Sequence, residues 1–180
     1  DLLRCLQGDQ GCLMAFVASS QQIFVDIYAL GEWFPLAFAG TAAAMIAANF
    51  VNSRIVVRLG TRCVSHTAVV LFLAVALLFV IVLSATGQPP VWLTWSFLAA
   101  LLFLFGLSIQ NFNALAMEPQ GAIAGMASSI LGTYTTLAGA LFGWLVGSAF
   151  DGTVLPISVG FAGLSALSIA VIAIGDSGLR

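Results

Sequence analysis

Long apolar segments alternate with short polar, glycine- or proline-containing breaks along the whole chain. A helix needs about 20 mostly apolar residues to cross the hydrocarbon core of a bilayer. Six segments reach that length, and they predict transmembrane helices at about residues 11–30, 33–52, 67–86, 91–114, 122–150 and 154–174. The first segment is the weakest, because it is interrupted by Ser19, Ser20, Gln21, Gln22 and Asp26. The breaks, such as Gly87-Gln88-Pro89-Pro90, contain the usual helix-ending residues.

The composition excludes an ordinary water-soluble domain. Of the 180 residues, 61% are hydrophobic and only 7% are charged, whereas about 25% are charged in a typical soluble domain. So few charged groups cannot cover the surface of a soluble domain of this size. The sequence therefore predicts an all-α membrane protein in contact with the lipid bilayer. With a net charge of −2 and no basic cluster, we expect no nucleic-acid partner.

The side chains that carry most enzyme chemistry form no recognisable site. The three cysteines and the single histidine, His66, lack the spacing of metal ligands. An intramembrane enzyme would need a nucleophile and a base within reach of each other. His66 lies at the end of a predicted span, and no Gly-x-Ser-x-Gly sequence is present. We therefore expect no catalytic residue, no metal and no cofactor.

The arginines set the orientation of the predicted helices. Six spans place all five on one side of the membrane: Arg4, Arg54, Arg58, Arg62 and Arg180. The short turns near residues 31, 88 and 152 fall on the other side. Because Lys and Arg accumulate in short cytoplasmic loops, we expect both ends of this segment to face the cytoplasm.

Small residues recur along two of the predicted helices. The fifth helix carries Gly125, Gly132, Gly139, Gly143 and Gly147. The second helix carries a similar stripe, made of Ala37, Gly40, Ala44 and Ala48. Small residues at such spacings let two helix backbones approach closely in lipid, so we expect a packed bundle.

Three polar clusters interrupt the apolar spans. They are Ser19-Ser20-Gln21-Gln22, the group Ser108, Gln110, Asn111 and Asn113, and Thr133-Tyr134-Thr135-Thr136. Polar groups within a membrane are expensive and usually face the interior of a bundle. The first two clusters occupy matched positions if the six helices form two groups of three, a pattern that points to a binding site in transporters. Hydrogen bonding between helices is the structural alternative.

Five side chains from these clusters are the candidate substrate-binding residues: Gln22, Gln110, Asn111, Asn113 and Tyr134. Positions 110 and 111 point about 100° apart on a helix. Gln110 shares a face with Gly106 and Asn113, so we expect Gln110 and Asn113 to face a cavity more directly than Asn111. Gly106 would leave room beside them for a ligand or a crossing helix.

The arginines between the second and third helices have two interpretations. Arg54, Arg58 and Arg62 recur every four residues and would form one basic stripe on a continuing helix. They could serve only to fix the topology. Alternatively, they could form a closing contact with a neighbouring helix end, because Arg pairs well with carboxylates and exposed carbonyls.

Three stretches resemble parts of the bacterial drug–proton antiporters of the major facilitator superfamily, closest to the bicyclomycin-resistance (Bcr/CflA) group. NALAMEPQGAIAGMASSILG, at residues 113–132, resembles the segment that joins the tenth and eleventh helices. ASSQQIFVDIYAL, at residues 18–30, resembles the seventh helix and the turn after it. NSRIVVRLGTR resembles the degenerate second copy of the cytoplasmic loop motif, with Arg58, Gly60 and Arg62 in the R-x-G-x-R places. Val57 stands where the full motif has an acid.

The resemblance implies that residues 1–180 are the C-terminal six-helix bundle of a twelve-helix transporter, whose N-terminal half is missing from this sequence. It implies proton-coupled efflux of amphipathic drugs or other small molecules across the bacterial inner membrane by alternating access. Glu118 would lie in a cytoplasmic hairpin and belong, with Arg54, Arg58, Gly60 and Arg62, to a cytoplasmic gate. The proton-titrating acid of such antiporters commonly lies in the N-terminal half.

A second hypothesis is a six-span scaffold or channel subunit that acts by self-association. Two copies of the bundle could then mimic the twelve-helix arrangement. The same small-residue stripes would serve either function, so they do not separate the two.

Cysteine labelling tests the predicted topology. We expect a cysteine that replaces Gln88 or Thr153 to react with a membrane-impermeant reagent added outside the cell. We expect a cysteine at Gln120 to be protected, because the arginines place that hairpin in the cytoplasm. External labelling at Gln120 would contradict the six-span topology.

Overall fold

The computed structural model describes residues 13–14, 16–17, 19–117, 124–149 and 152–177. We label as α1 the helical residues 13–14, 16–17 and 19–27, of which Gln22–Ile27 are π-helical. A 3₁₀ turn, Gly31–Trp33, leads into the remaining helices. They are α2 (Phe34–Leu59), α3 (Thr61–Thr86), α4 (Val91–Met117), α5 (Ala124–Ser148) and α6 (Leu155–Ser177). The described residues contain no strand.

The helices have the length and apolarity of membrane spans. Within the described part of the chain, four are long and apolar enough to cross a bilayer: Gly31–Leu59, Thr61–Thr86, Val91–Met117 and Ser128–Ser148. A shorter apolar helix covers Leu155–Ala170. The prediction of an all-α, multi-pass membrane protein is confirmed, and the count of six spans stays a prediction.

The connection between the second and third helices differs from the predicted loop at residues 53–66. It is helical except at Gly60, because nothing before that residue breaks the helix. Gly60 adopts φ +79°, a left-handed conformation that favours glycine. Arg54 and Arg58 therefore lie on the last turns of α2, while Arg62 lies on the first turn of α3. The three arginines are exposed, but they do not form a stripe on one helix.

Helix α4 is the centre of the bundle and packs against both α2 and α3. The buried residues Phe72, Ala76, Phe79 and Leu83 form a single face of α3. On this face Phe79 stacks on Phe97 of α4, with ring centroids 4.7 Å apart. Phe72, two turns earlier on the same face, makes an edge contact with Phe161 of α6 at 6.1 Å, which joins the last helix to α3.

Small residues bring α2 and α4 close together. A Cβ atom on Gly106 would lie 2.9 Å from the Cβ of Ala48, and one on Gly40 would lie 2.9 Å from the Trp95 ring. The Trp95 indole N–H also donates a hydrogen bond to the Ala37 carbonyl at 3.1 Å. The stripe predicted on the second helix is thus the surface that meets α4, and a crossing helix fills the space beside Gly106.

The contacts between α2 and α4 keep a constant register. Ala37 with Trp95, Ala48 with Gly106, and Asn52 with Gln110 are each separated by 58 residues in the sequence. A constant separation means that the two helices run in the same direction, as alternate spans of a membrane protein must. From Ala37 to Asn52 the contact extends roughly 22 Å at 1.5 Å per residue, most of the hydrocarbon thickness.

Two turns meet at one end of the bundle. The Tyr28 hydroxyl, just after α1, donates to the Pro89 carbonyl at 2.8 Å and lies 2.6 Å from the Thr94 hydroxyl. Gln88 donates to the Ile27 carbonyl at 3.4 Å. The α1–α2 and α3–α4 turns are therefore neighbours, at the opposite end of α2 from Gly60.

The glycines of α5 fall into two groups. A Cβ atom on Gly125 or Gly132 would meet no atom within 4 Å, so close packing at these two stays a prediction. Gly139 and Gly143 are buried, and Gly147 is half-buried. Helix α5 meets α6 where Gly160 accommodates Val146, 2.8 Å from the position of an added Cβ.

Replacing Gly106 with leucine tests the importance of the contact between α2 and α4. We expect Gly106→Leu to lower the free energy of unfolding of the full-length protein in detergent by about 1–3 kcal/mol, because the side chain would push against Ala48. Gly163→Leu is the matched control, since a Cβ there meets nothing within 4 Å. Equal losses in the free energy of unfolding for the two variants would mean that leucine at either glycine destabilises the protein, and that the contact with Ala48 is not the cause.

Candidate functional site

Four carboxamide side chains meet between α2 and α4. Asn49 and Asn52, three residues apart, lie on one face of α2. The register of the two helices places them opposite Gln110 and Asn111 of α4. We call Asn49, Asn52, Gln110 and Asn111 the amide cluster.

Hydrogen bonds join the four members of the amide cluster in a chain. The Asn111 amide donates to Asn52 Oδ1 at 2.7 Å and to the Leu107 carbonyl of its own helix, also at 2.7 Å. The Asn52 amide donates to Gln110 Oε1 at 3.4 Å. The Gln110 amide then donates to Asn49 Oδ1. The three bonds between side chains each connect α2 with α4, whereas the bond to the Leu107 carbonyl lies within α4.

Burial of the four amides decreases along this series of hydrogen bonds, from Asn111 to Asn49. The exposed fraction is 2% for Asn111 and 7% for Asn52, so these two amides are fixed inside the helix contact. Gln110 is half-buried and Asn49 is exposed. The amide cluster therefore has a buried end that joins the two helices and an open end that is accessible from outside the bundle.

The open end lies near the end of the second predicted span, which covers residues 33–52. Asn49 is three residues before that end, about 4.5 Å along the helix axis, and five residues before the exposed Arg54. The buried amides Asn52 and Asn111 are satisfied by protein, whereas Asn49 is close enough to the predicted end of the span to reach water. The cluster contains no titratable group, so it can hydrogen-bond a neutral compound but cannot carry a proton.

The structure distributes the five candidate binding residues over several places. Gln110 and Asn111 belong to the amide cluster. Asn111 is buried and makes two hydrogen bonds, one to Asn52 and one to the Leu107 carbonyl. Asn113 is exposed one turn further along α4, and Tyr134 is exposed on α5. Glu118, a predicted gate residue, lies outside the described residues.

Gln22 occupies a different depth from the amide cluster. Its Oε1 atom is buried and has no hydrogen-bond partner in the described part of the chain. Gln22 begins the π-helical turn of α1, six residues before Tyr28. The Tyr28 hydroxyl contacts Thr94, near the start of α4, whereas Gln110 lies near the end of that helix. Counting residues along α1 and α4 puts Gln22 on the order of 15 Å from the amide cluster along the bundle axis.

Sequence reasoning missed Asn49 and Asn52. Both interrupt the end of the second predicted span, and their spacing of three places them on one helix face. That signal was available in the sequence. Their partners were not, because pairing with Gln110 and Asn111 depends on how α2 and α4 are aligned.

A double-mutant cycle measures the buried end of the cluster. We expect Asn52→Ala and Asn111→Ala to be coupled by about 0.6 kcal/mol, and by no more than about 1.7 kcal/mol, the range found for hydrogen bonds between membrane helices. The measurement is the free energy of unfolding of the full-length protein in detergent.

The control cycle pairs Asn52→Ala with Asn113→Ala, since Asn113 takes no part in the cluster. This control should be additive. Additivity of the Asn52 and Asn111 changes as well would show that their hydrogen bond adds nothing to the stability of the helix pair.

Comparison with known proteins gives one informative match. No protein-family model matches the chain, and no solved structure matches it. The "Bicyclomycin resistance protein homolog" of Haemophilus influenzae is 29% identical over 152 residues, covering 82% of this chain and 37% of that protein. The chain thus spans little more than a third of the relative's length. The match supports the resemblance to bicyclomycin-resistance proteins that three stretches of the sequence show.

Proposed function

We propose that this chain is the C-terminal six-helix half of a drug efflux transporter of the bicyclomycin-resistance type. The observation that carries the proposal is the similarity to the bicyclomycin resistance homolog over 82% of the chain. The parallel contact of α2 and α4 and its intramembrane amide cluster agree with it. The similarity favours export over a self-associating scaffold or an enzyme.

Alternating access would use two features of the structure, the contact between α2 and α4 and the open end of the amide cluster. The close contact of α2 and α4 would let this bundle move as one body against the missing half. The open end of the amide cluster would face the cytoplasmic end of the pathway between the two halves, while the compound binds nearer the membrane midplane. Gln22, Asn113 and Tyr134 would contribute further polar contacts at other depths.

Proton coupling would depend on the missing half. The amide cluster contains no acid, and Asp26 is exposed at the end of α1 rather than beside the cluster. The work of this half would be to bind the compound and to close the cytoplasmic side. The corner at Gly60, with Arg58 before it and Arg62 after it, would form the gate together with Glu118.

Growth of bacteria in bicyclomycin tests the proposed function. We expect the full-length protein, expressed in the inner membrane of a drug-sensitive strain, to raise the concentration of bicyclomycin that stops growth. A protonophore should abolish efflux of the drug from loaded cells. Unchanged sensitivity to bicyclomycin and to a panel of other amphipathic drugs, with the protein present in the membrane, would contradict the proposal.

The variant Gln110→Ala tests the site. We expect a several-fold change in drug selectivity with normal membrane expression, because each lost hydrogen bond contributes on the order of 1 kcal/mol. Ser96→Ala, on the exposed surface of α4, is the control: its hydroxyl donates only to the Trp92 carbonyl of the same helix. If Gln110→Ala transports like wild type while Asn111→Ala does not, the assigned face is wrong.

A further inference from the structure

Gln22 has a buried hydrogen-bond acceptor that the bundle leaves unpaired. Its Oε1 atom is shielded from solvent and has no hydrogen-bond partner in the described part of the chain. The Ser20 hydroxyl, two residues earlier, donates instead to the Val17 carbonyl at 2.9 Å. A buried acceptor that has lost its water without gaining a donor destabilises the folded protein. The missing donor therefore has to come from a group outside the described residues.

The depth of Gln22 keeps bulk water away from this oxygen. In the first predicted span, residues 11–30, Gln22 lies eleven residues after the start and eight before the end. At 1.5 Å per residue these separations are about 17 and 12 Å. Gln22 is thus close to the middle of the hydrocarbon layer, which is the depth at which transporters bind their substrates.

The side of α1 that carries Gln22 is not packed on the rest of the bundle. The helix meets α2 through two aromatic pairs, Phe16 with Phe38 and Phe24 with Phe34. Gln22 is only half-buried, and its neighbour Gln21 is exposed. A carboxamide at mid-span is expensive against lipid and normally faces protein or a water-filled cavity. In the proposed transporter, these two glutamines therefore border the space between this bundle and the missing half.

An irregular turn of α1 begins at the same residue. Residues Gln22–Ile27 are π-helical. Such widened turns are rare within helices and occur frequently at functional sites. The π-helical turn and the unpaired oxygen are independent observations, and both mark Gln22.

We propose that Gln22 Oε1 accepts a hydrogen bond from an N–H or O–H group of the transported compound, so that the transporter prefers compounds with such a donor. The inference rests on the proposed function and adds the residue and the substrate chemistry. A carboxamide oxygen can only accept, so a carbonyl or ether oxygen of the compound gains nothing from it. The oxygen is paired only in the complex, and it lowers the stability of the empty protein.

The variant Gln22→Met separates a binding role from a structural one. Methionine is nearly as long as glutamine and adapts to irregular spaces, but its sulfur is a weak acceptor. We expect Gln22→Met to raise the Tm of ligand-free, full-length protein in detergent by about 1–3 °C, because it removes the unpaired oxygen. Gln110→Met is the matched control. The same change there removes hydrogen bonds with Asn49 and Asn52 and should lower the Tm.

A matched pair of compounds measures the selectivity. N-methylnaphthamide and N,N-dimethylnaphthamide share a ring system and a carbonyl group, but only the first has an N–H. We expect wild-type full-length protein to bind the N–H compound about five-fold more tightly, with apparent Kd values taken from the rise of Tm with concentration. In Gln22→Met the two values should become equal. Ser20→Ala, which loses only a hydrogen bond within α1, should keep the preference.

Several outcomes would overturn the inference. Wild-type protein that binds the two compounds equally, or binds neither, removes it whatever the variants do. A preference that survives in Gln22→Met assigns the N–H to another acceptor, and one that is also lost in Ser20→Ala shows a general disturbance of α1. A lower Tm in ligand-free Gln22→Met means that Oε1 is already paired in the full-length protein. An unchanged Tm means that water satisfies it.

The two proposals fail in different ways. Wild-type protein that exports bicyclomycin but does not prefer the N–H compound keeps the proposed function and loses this inference. Protein that prefers the N–H compound, loses the preference in Gln22→Met and exports no drug keeps the acceptor at Gln22 and loses the proposed function.

Discussion

The close, parallel contact between α2 and α4 is the feature on which the rest of this bundle depends. In lipid there is little hydrophobic force between helices, so association relies on packing and on hydrogen bonds between helices. Gly40 and Gly106 let the backbones approach, and neither tolerates a Cβ without displacing a neighbour. The approach fixes a register of 58 residues that continues from Ala37 to Asn52. Every polar contact of the amide cluster follows from that register.

The amide cluster has a buried end with a structural role and an exposed end. Its buried end satisfies Asn111 and Asn52 within the protein, which is necessary because unpaired polar groups are costly at this depth. The open end differs, because Asn49 is exposed and its NH₂ hydrogen-bonds to nothing among the described residues. The buried end therefore serves helix packing, and the open end is the part of the cluster that the proposed binding site would use.

Much of the fold could be predicted from the sequence, because hydrophobic length alone identifies helices in a membrane protein. The small-residue stripe that meets α4 was also visible, since the spacing of Ala37, Gly40 and Ala48 has one interpretation in lipid. The pairing of Asn49 and Asn52 with Gln110 and Asn111 was not, because it requires knowing which helices are neighbours and how they are aligned. A break at Gly60 was expected from the sequence, but the residues on either side of it were placed outside the spans because they are charged, although only Gly60 interrupts the helix.

The most direct measurement is the reaction of a cysteine at position 49 with a water-soluble thiol reagent, in full-length protein whose three native cysteines are replaced by serine. A cysteine at Leu78, on the exposed apolar face of α3, serves as the reference for contact with lipid. If the open end of the amide cluster borders a water-filled transport pathway, the thiol at position 49 will react quickly and a transported drug will protect it. A thiol at position 49 that is as unreactive as the one at position 78 would place Asn49 against lipid or protein, and would contradict a binding site there.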